Sequence, residues 1–287
     1  MSEENRARWA LIVAVILWGS SYVSIRFAVE SYSPGVLALL RYLGASIVMI
    51  PLYLIYKQPI SHSFFRIFLA GLLGVFGFAI YTVFLNYGEL TITAGVTSFV
   101  IGFAPLLSII LACIVYRERL KWGAWGGWAI SILGLFLLVL SEEHYSAGIG
   151  FLYLMVACLA MALYVFLQKK FLQYMNAVEF TSYAIWGGTL ALLIYAPTVL
   201  PEIQRTPLMA NMVVIYMGIF PSALAYICWS QGFKVLSVTE ASSYAYLVPF
   251  FCLVLAFVFL GEVPSLMSLL GGLISLYGVV LVRKYVV

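Results

Sequence analysis

The chain repeats itself at a distance of 144 residues. The segment TSFVIGFAPLLSIILACIVYRE at 97–118 returns as ASSYAYLVPFFCLVLAFVFLGE at 241–262. The same shift pairs Gly44 with Gly188, Gly74 with Gly218, Gly88 with Gly232, Ser98 with Ser242, Pro105 with Pro249, Glu118 with Glu262, Gly127 with Gly271, Ser131 with Ser275 and Gly134 with Gly278. We therefore predict two halves of one design, at 1–143 and 144–287.

The composition predicts that both halves lie in a lipid bilayer. Hydrophobic residues make up 64% of the chain and charged residues only 9%, whereas soluble domains carry about 25% charged residues. The basic residues occur singly or in short runs, and a nucleic-acid-binding tail would be a longer block. The predicted partners are therefore the bilayer and a small molecule, and no nucleic acid.

Ten apolar stretches approach the length of about 20 residues that a membrane-spanning helix needs. They lie at 9–27, 36–56, 67–88, 94–115, 122–141, 149–168, 179–198, 210–233, 240–260 and 266–283. Each half holds five spans, and an odd number inverts the second half relative to the first. The predicted fold is an all-α polytopic membrane protein with ten transmembrane helices in two inverted five-helix repeats, which is typical of alternating-access transporters.

The basic residues predict the orientation, because Lys and Arg near span ends stay on the cytoplasmic side. With the N-terminus inside, 12 of the 15 basic residues lie at cytoplasmic ends, and Arg205 alone lies in an external loop. This pattern predicts cytoplasmic termini in the inner (plasma) membrane. The first apolar run is too long for a signal peptide and is predicted to be an uncleaved span.

Small residues shared by both halves predict a close helix contact. Gly127 and Ser131 form a small-xxx-small pair in span 5, and Gly271 and Ser275 repeat it in span 10. Small residues let helices approach closely in a bilayer. We therefore expect these four residues to pack span 5 and span 10.

The two repeated prolines predict interruptions of their helices. Pro105 removes the hydrogen bond to the carbonyl of Ile101, and Pro249 does the same for Ala245. A freed carbonyl in a membrane must be satisfied by protein, water or substrate. Each proline is therefore either a plain kink or a kink that faces a cavity and takes part in gating.

Residues that break the repeat are the candidates for binding a substrate, because a substrate has no two-fold symmetry. Polar residues inside spans are also expected to face the bundle interior. The predicted cavity residues, which include two shared serines, are Trp18, Tyr22, Arg41, Tyr81, Thr82, Asn86, Ser98, Tyr226, Ser230, Ser242 and Tyr246. Interhelical hydrogen bonds are the alternative for the mid-span tyrosines and Asn86.

The charged residues near span ends leave several interpretations open. Arg41 either reaches the outer headgroups, captures a substrate carboxylate or supports an outer gate, or forms an internal ion pair. Glu89 and Glu240 are expected to face headgroups or cap helices. No acidic residue lies near the middle of a span, which argues against a cationic substrate and against tight proton coupling through an internal acid. It does not exclude a carboxylate at a span end.

Other functional classes find little support. An intramembrane enzyme needs a nucleophile with a base or a metal site, but the two histidines, His62 and His144, lie in predicted loops and Asp is absent. The four cysteines lie in apolar stretches and suggest neither a disulfide framework nor a metal site. We expect no enzyme, cofactor or metal. A membrane receptor that transports nothing remains an alternative. The sequence leaves the oligomeric state open and is compatible with a monomer.

The whole chain resembles the EamA-type transporters of the drug/metabolite transporter superfamily. The resemblance depends on Pro105 with Glu118, Pro249 with Glu262, the pair Trp18-Gly19 and the position of Arg41. It implies secondary transport, mostly export, of amino acids and other small metabolites through a cavity lined by spans 1, 3, 4, 6, 8 and 9. The alternative is efflux of lipophilic drugs, although span 1 lacks the glutamate of the small multidrug-resistance relatives.

Overall fold

The computed structural model describes residues 2–57, 63–104, 106–108, 111, 115, 122–141, 147–236, 241 and 244–286. The membrane helices over these residues are α1 (Glu3–Ala28), α2 (Pro34–Tyr56), α3 (Phe64–Glu89), α4 (Ala94–Ile101), α5 (Trp122–Ser141), α6 (Ala147–Phe171), α7 (Ala177–Arg205), α8 (Leu208–Val235), α9 (Tyr244–Leu260) and α10 (Leu266–Val286). Six of them are long enough to cross a bilayer, and the other four are shorter apolar helices. The predicted all-α fold of ten membrane helices in two repeats is confirmed.

Local sequence signals set several helix ends. The side chain of Ser2 accepts a hydrogen bond from the amide of Asn5 at the start of α1. Asn176 and Glu179 form a reciprocal capping box at the start of α7, which satisfies two otherwise unpaired amides. Gly261 ends α9 with a φ of 67°, a left-handed conformation that glycine adopts at little cost.

The end of α7 differs from the sequence-based prediction. We expected the helix to end near residue 198, but it continues through one 3₁₀ turn to Arg205. Glu202 in this extension accepts hydrogen bonds from the amide and the hydroxyl of Ser33, at 2.8 and 2.7 Å. A tertiary contact with the start of α2 thus stabilises residues that look like a loop in the sequence.

The contact between α5 and α10 shows how the halves are related. A Cβ added to Gly134 would lie 2.2 Å from the amide nitrogen of Ser275, and a Cβ added to Gly278 would lie 2.4 Å from that of Ser131. Ser131 also donates its hydroxyl to the carbonyl of Ser275 at 2.9 Å. Because these residues are repeat partners, the contact looks alike from both sides, as a two-fold axis requires.

Two further glycine contacts obey the same relation. Gly44 of α2 lies against Gly218 of α8, and Gly188 of α7 lies against Gly74 of α3. The shift of 144 residues turns the first contact into the second. The duplicated glycines therefore place backbone against backbone where the two halves cross.

Both halves also contain a π-helical segment at equivalent positions. It covers Val75–Ile80 in α3 and Gly218–Leu224 in α8. A π-helical turn shifts the following side chains around the helix axis and occurs often at functional sites. Tyr81 directly follows the first segment, and Tyr226 follows the second after one intervening residue. Both tyrosines face the centre of the molecule.

Candidate functional site

A cavity of about 80 Å³ lies between the two halves. Its wall comes from α1, α2, α3, α6, α8, α9 and the chain through α4 to residue 104. The lining residues are Trp18, Ser21, Tyr22, Arg41, Tyr81, Leu85, Ser98, Ile101, Gly102, Ala104, Met161, Tyr164, Val165, Tyr226, Trp229, Ala245 and Val248. All six spans that the family resemblance implied contribute, and α2 adds Arg41.

Both halves of the repeat contribute to the cavity wall, but the side chains that they place there differ in chemistry. Four repeat-related pairs both line the cavity, and they are Ser21 with Val165, Leu85 with Trp229, Ile101 with Ala245 and Ala104 with Val248. In each pair the two side chains differ. The backbone around the cavity is thus duplicated, while the groups that meet a ligand are not.

Arg41 is the charged residue of the described cavity wall. Its side chain is 2% exposed, so the interpretation in which it reaches the headgroups is wrong. Its Nε donates to the hydroxyl of Ser222 in the π-helical segment of α8, and its guanidinium lies 5.5 Å from the ring centre of Tyr42. Among the described residues no carboxylate forms an ion pair with it, and its Nη1 has no hydrogen-bond partner.

Aromatic rings form a further part of the cavity wall. The ring of Trp18 lies 5.0 Å from that of Tyr226 and 4.8 Å from that of Trp229. Its Nε1 donates to the carbonyl of Pro221 at 3.2 Å, which is in the π-helical segment of α8. This bond links the two halves and fixes the indole against the cavity.

Three of the predicted cavity residues lie instead in contacts between helices. Thr82 donates to the hydroxyl of Tyr42 at 3.3 Å, and Asn86 donates to the carbonyl of Pro34 at 2.9 Å. The hydroxyl of Ser230 lies 3.1 Å from Nε2 of Gln168. These residues are fully buried and do not line the cavity. For Asn86 this matches the alternative of an interhelical hydrogen bond, which was not predicted for Thr82 and Ser230.

The remaining predicted residues lie in or near α9, or outside the description. Tyr246 is half-buried in the 3₁₀ turn that opens α9 and is absent from the cavity wall. Pro249 is buried in the first turn of the α-helical part, beside the lining residue Val248. Pro105, Ser242, Glu118 and Glu240 lie outside the described residues.

Some cavity residues were missed in the sequence, although a signal was present for two of them. Trp229 corresponds to Leu85 in the other half, and Tyr164 corresponds to Ser20. Both positions are aromatic in one copy only, so the repeat-breaking criterion applied to every aromatic residue would have found them. Met161 is apolar in both copies, with Leu17 as its counterpart, and carried no such signal.

Glu89 contradicts our expectation for acidic residues at span ends. Its side chain is fully buried, and neither carboxylate oxygen has a hydrogen-bond partner among the described residues. Arg26 donates to its backbone carbonyl at 2.5 Å and lies 3.5 Å from the carboxylate of Glu262, which accepts from the amide of Ala94 at 3.2 Å. We call these residues the Arg26 cluster (Arg26, Glu89, Ala94 and Glu262). It lies at the end of the bundle where α1 and α3 end, and its other members enclose the carboxyl group of Glu89.

The described residues contain no group of His, Cys, Asp or Glu that could hold a metal ion. The cavity instead offers one guanidinium nitrogen, several hydroxyl groups and aromatic faces. Such a set can bind a small ligand that carries both a negative group and an apolar or cationic part.

Curated relatives align with nearly the whole chain. A "Probable terminal-alkyne amino-acid exporter" of Streptantibioticus cattleyicolor is 32% identical, covering 98% of this chain and 94% of the relative. The "Uncharacterized transporter YdfC" of Bacillus subtilis is 31% identical over 92% and 86% of the two chains. A "Probable amino-acid metabolite efflux pump" of Salmonella typhimurium is 25% identical over 93% and 91%.

A solved crystal structure has the same fold, with a TM-score of 0.65 at 17% sequence identity, over 96% of this chain and 95% of the other. The EamA-like transporter family matches this chain twice, over residues 6–140 and 148–284. The two matches correspond to the two five-helix repeats. The chain is therefore a multi-pass membrane transporter that belongs to the EamA-like transporter family.

Proposed function

We propose that the protein exports amino acids or closely related zwitterions by alternating access through the central cavity. The observation that carries this proposal is the buried Arg41 on the cavity wall, whose Nη1 has no hydrogen-bond partner in the described part of the chain. A buried cation without a counter-charge is costly, and a substrate carboxylate would supply the missing partner through a charge-assisted hydrogen bond.

The other walls suit the rest of such a substrate. The faces of Trp18, Tyr226 and Trp229 can hold an apolar side chain or an ammonium group through cation–π contacts. The volume of about 80 Å³ favours a small solute over drug-sized ligands, which occupy pockets of about 300–1,000 Å³. The printed names of two relatives, an amino-acid exporter and an amino-acid metabolite efflux pump, support the same substrate class.

The arrangement of the halves supports a rocking motion around the site. Close glycine contacts at α2–α8 and α3–α7 are related by the repeat, so opening one end and closing the other exchanges equivalent geometries. The bias of the basic residues favours cytoplasmic termini, and reporter fusions at each terminus test this. A reporter that is active outside the cell at the C-terminus would contradict it.

Transport of labelled amino acids in proteoliposomes tests the substrate class, and variants of Arg41 test the site. We expect Arg41→Ala and Arg41→Gln to lower transport by about tenfold or more, because a hydrogen bond to a charged group contributes about 1.5–3 kcal/mol. Arg41→Lys keeps the charge but loses the planar donor pair, and intermediate transport is expected.

Arg205→Ala is the matched control, since this arginine is exposed at the end of α7. It is expected to transport like the wild type, and size-exclusion profiles establish that each variant is folded. Equal transport by wild type and a folded Arg41→Ala would remove Arg41 from the site. No flux of any amino acid would refute the substrate class.

A further inference from the structure

Glu89 is a titratable group that the cavity chemistry above does not use. It is the last residue of α3, four positions after the cavity residue Leu85. It is 0% exposed, in contrast to Glu202 at the same end of the bundle, whose carboxylate accepts two hydrogen bonds from Ser33.

The described residues around Glu89 offer too few donors for an ionised carboxylate. Within the described part of the chain, both of its oxygens are unpaired, and so is Oδ1 of Asn86, which lies three residues earlier on the same helix face. All three atoms are acceptors when Glu89 is ionised. A proton on Glu89 converts one acceptor into a donor, which is the group that the site lacks.

The neighbouring charges do not replace that proton. Among the described residues of other elements, the titratable and charged groups that act on Glu89 are Tyr22 and Arg26 on α1, Arg41 on α2, Cys252 on α9 and Glu262 after α9. Arg26 is engaged by the carboxylate of Glu262 and by a backbone carbonyl. Arg41 uses its Nε on Ser222 and, among the described residues, forms no ion pair with Glu89, so its open Nη1 does not neutralise that carboxylate. Glu262 adds a second negative charge, and two nearby carboxylates oppose each other's ionisation.

We propose that Glu89 is a proton-binding site whose occupancy is linked to closure of this end of the bundle. In the closed arrangement the carboxyl group is dry and holds a proton, because an ionised carboxylate without partners carries a large desolvation cost. Opening the Arg26 cluster admits water, which solvates the carboxylate and lets the proton leave. Protons therefore favour the closed state.

The inference rests on the proposed function for its role, since a proton that biases one end of the cavity biases alternating access. Our sequence-based expectation argued against tight proton coupling through an acid near the middle of a span, whereas Glu89 is a carboxylate at a span end, which that expectation did not exclude. Both measurements below work without a transported substrate. Failure of amino-acid transport would therefore leave the proton site open to its own test.

Infrared difference spectra between the wild type and its variants test whether Glu89 carries a proton. The spectrum of the wild type at neutral pH is expected to contain a carboxylic-acid carbonyl band that Glu89→Gln lacks and that Glu202→Gln retains. The same band in wild type and folded Glu89→Gln, or its absence from the wild type, would overturn the proposal.

Cys252 offers a native reporter of closure. Its thiol is buried and donates to the carbonyl of Ala94, which is a residue of the Arg26 cluster. With Cys113, Cys158 and Cys228 replaced by Ala, alkylation of Cys252 by N-ethylmaleimide is followed across pH. Raising the pH should accelerate the wild-type reaction more than that of Glu89→Gln, by about tenfold, which is a usual size for coupling between two equilibria.

A direct electrostatic effect of Glu89 on the thiol would have the opposite result. An ionised Glu89 near Cys252 disfavours the thiolate and would therefore slow alkylation of the wild type at high pH. Glu89→Asp should retain the pH dependence, and Glu202→Gln should match the wild type. Size-exclusion profiles establish folding of each variant, and Glu89→Asp serves as the test if Glu89→Gln does not fold. Identical pH profiles with and without a titratable group at position 89 would overturn the link to closure.

Discussion

The α5–α10 contact and the central cavity arise from the same duplication but use it in opposite ways. In the contact, Gly134 and Gly278 each lie on the backbone of the other half, and the repeat partners Ser131 and Ser275 meet across the two-fold relation. Around the cavity, repeat partners such as Leu85 and Trp229 share a place but not a chemistry. Backbone packing tolerates symmetry, whereas binding of an asymmetric ligand requires that it be broken.

The largest expected effect comes from filling the symmetric contact. Gly134→Leu places a side chain where a Cβ alone would lie 2.2 Å from a backbone nitrogen, so the helices must separate. Overpacking costs about 1–3 kcal/mol when side chains can move, and a larger cost is expected against backbone. We predict loss of the folded, monodisperse protein in size-exclusion chromatography.

Gly126→Leu is the matched control on the same helix, since a Cβ there meets nothing within 4 Å. It is expected to leave the thermal midpoint close to that of the wild type. If both leucine variants fold equally well, the contact between α5 and α10 does not depend on its glycines.

An intermediate effect is expected from making the cavity wall symmetric. Trp229→Leu gives both repeat partners the same side chain and removes the ring contacts with Trp18 and Phe233, at 4.8 and 4.9 Å. We predict a folded protein that is less stable by about 1–3 kcal/mol and that transports amino acids several-fold more slowly, measured in proteoliposomes.

Trp125→Leu removes a tryptophan from the exposed face of α5 and is expected to preserve transport. Unchanged transport by Trp229→Leu would show that asymmetry at this pair is not needed for the substrate.

The smallest effect is expected from one hydrogen bond within the symmetric contact. Ser131→Ala removes the donor to the carbonyl of Ser275 and is predicted to lower stability by about 1 kcal/mol. Ser275→Ala keeps this bond, because its acceptor is the backbone. A smaller drop in the thermal midpoint is therefore expected for Ser275→Ala, and the reverse order would contradict the assigned donor.

The sequence predicted the fold further than it predicted the site. The span at 122–141 coincides with α5, and most other spans differ from their helices by a few residues at each end. The predicted end of α7 was wrong because Glu202 near the true end of the helix accepts a hydrogen bond from Ser33, which is 169 residues away. Apolar length is a local property, whereas such a contact depends on which helix lies opposite.

Within the site, the repeat-breaking criterion found residues of the wall such as Trp18, Arg41 and Tyr226, but it did not separate them from Thr82 and Asn86. The latter two also break the repeat, yet they are hydrogen-bonded between helices. A polar residue inside a span must find a partner, and the sequence does not say whether that partner is protein or substrate.

The sequence by itself determined that this protein is a duplicated bundle of membrane helices, because hydrophobic length and repeated small residues are written along the chain. Only the tertiary structure decided which polar groups remain unsatisfied. With respect to the residues that the structure describes, Nη1 of Arg41 at the cavity has no hydrogen-bond partner, and the buried carboxyl group of Glu89 has no donor. Both facts depend on what distant helices bring to the same place, since solvation of a charge is set by its neighbours in space.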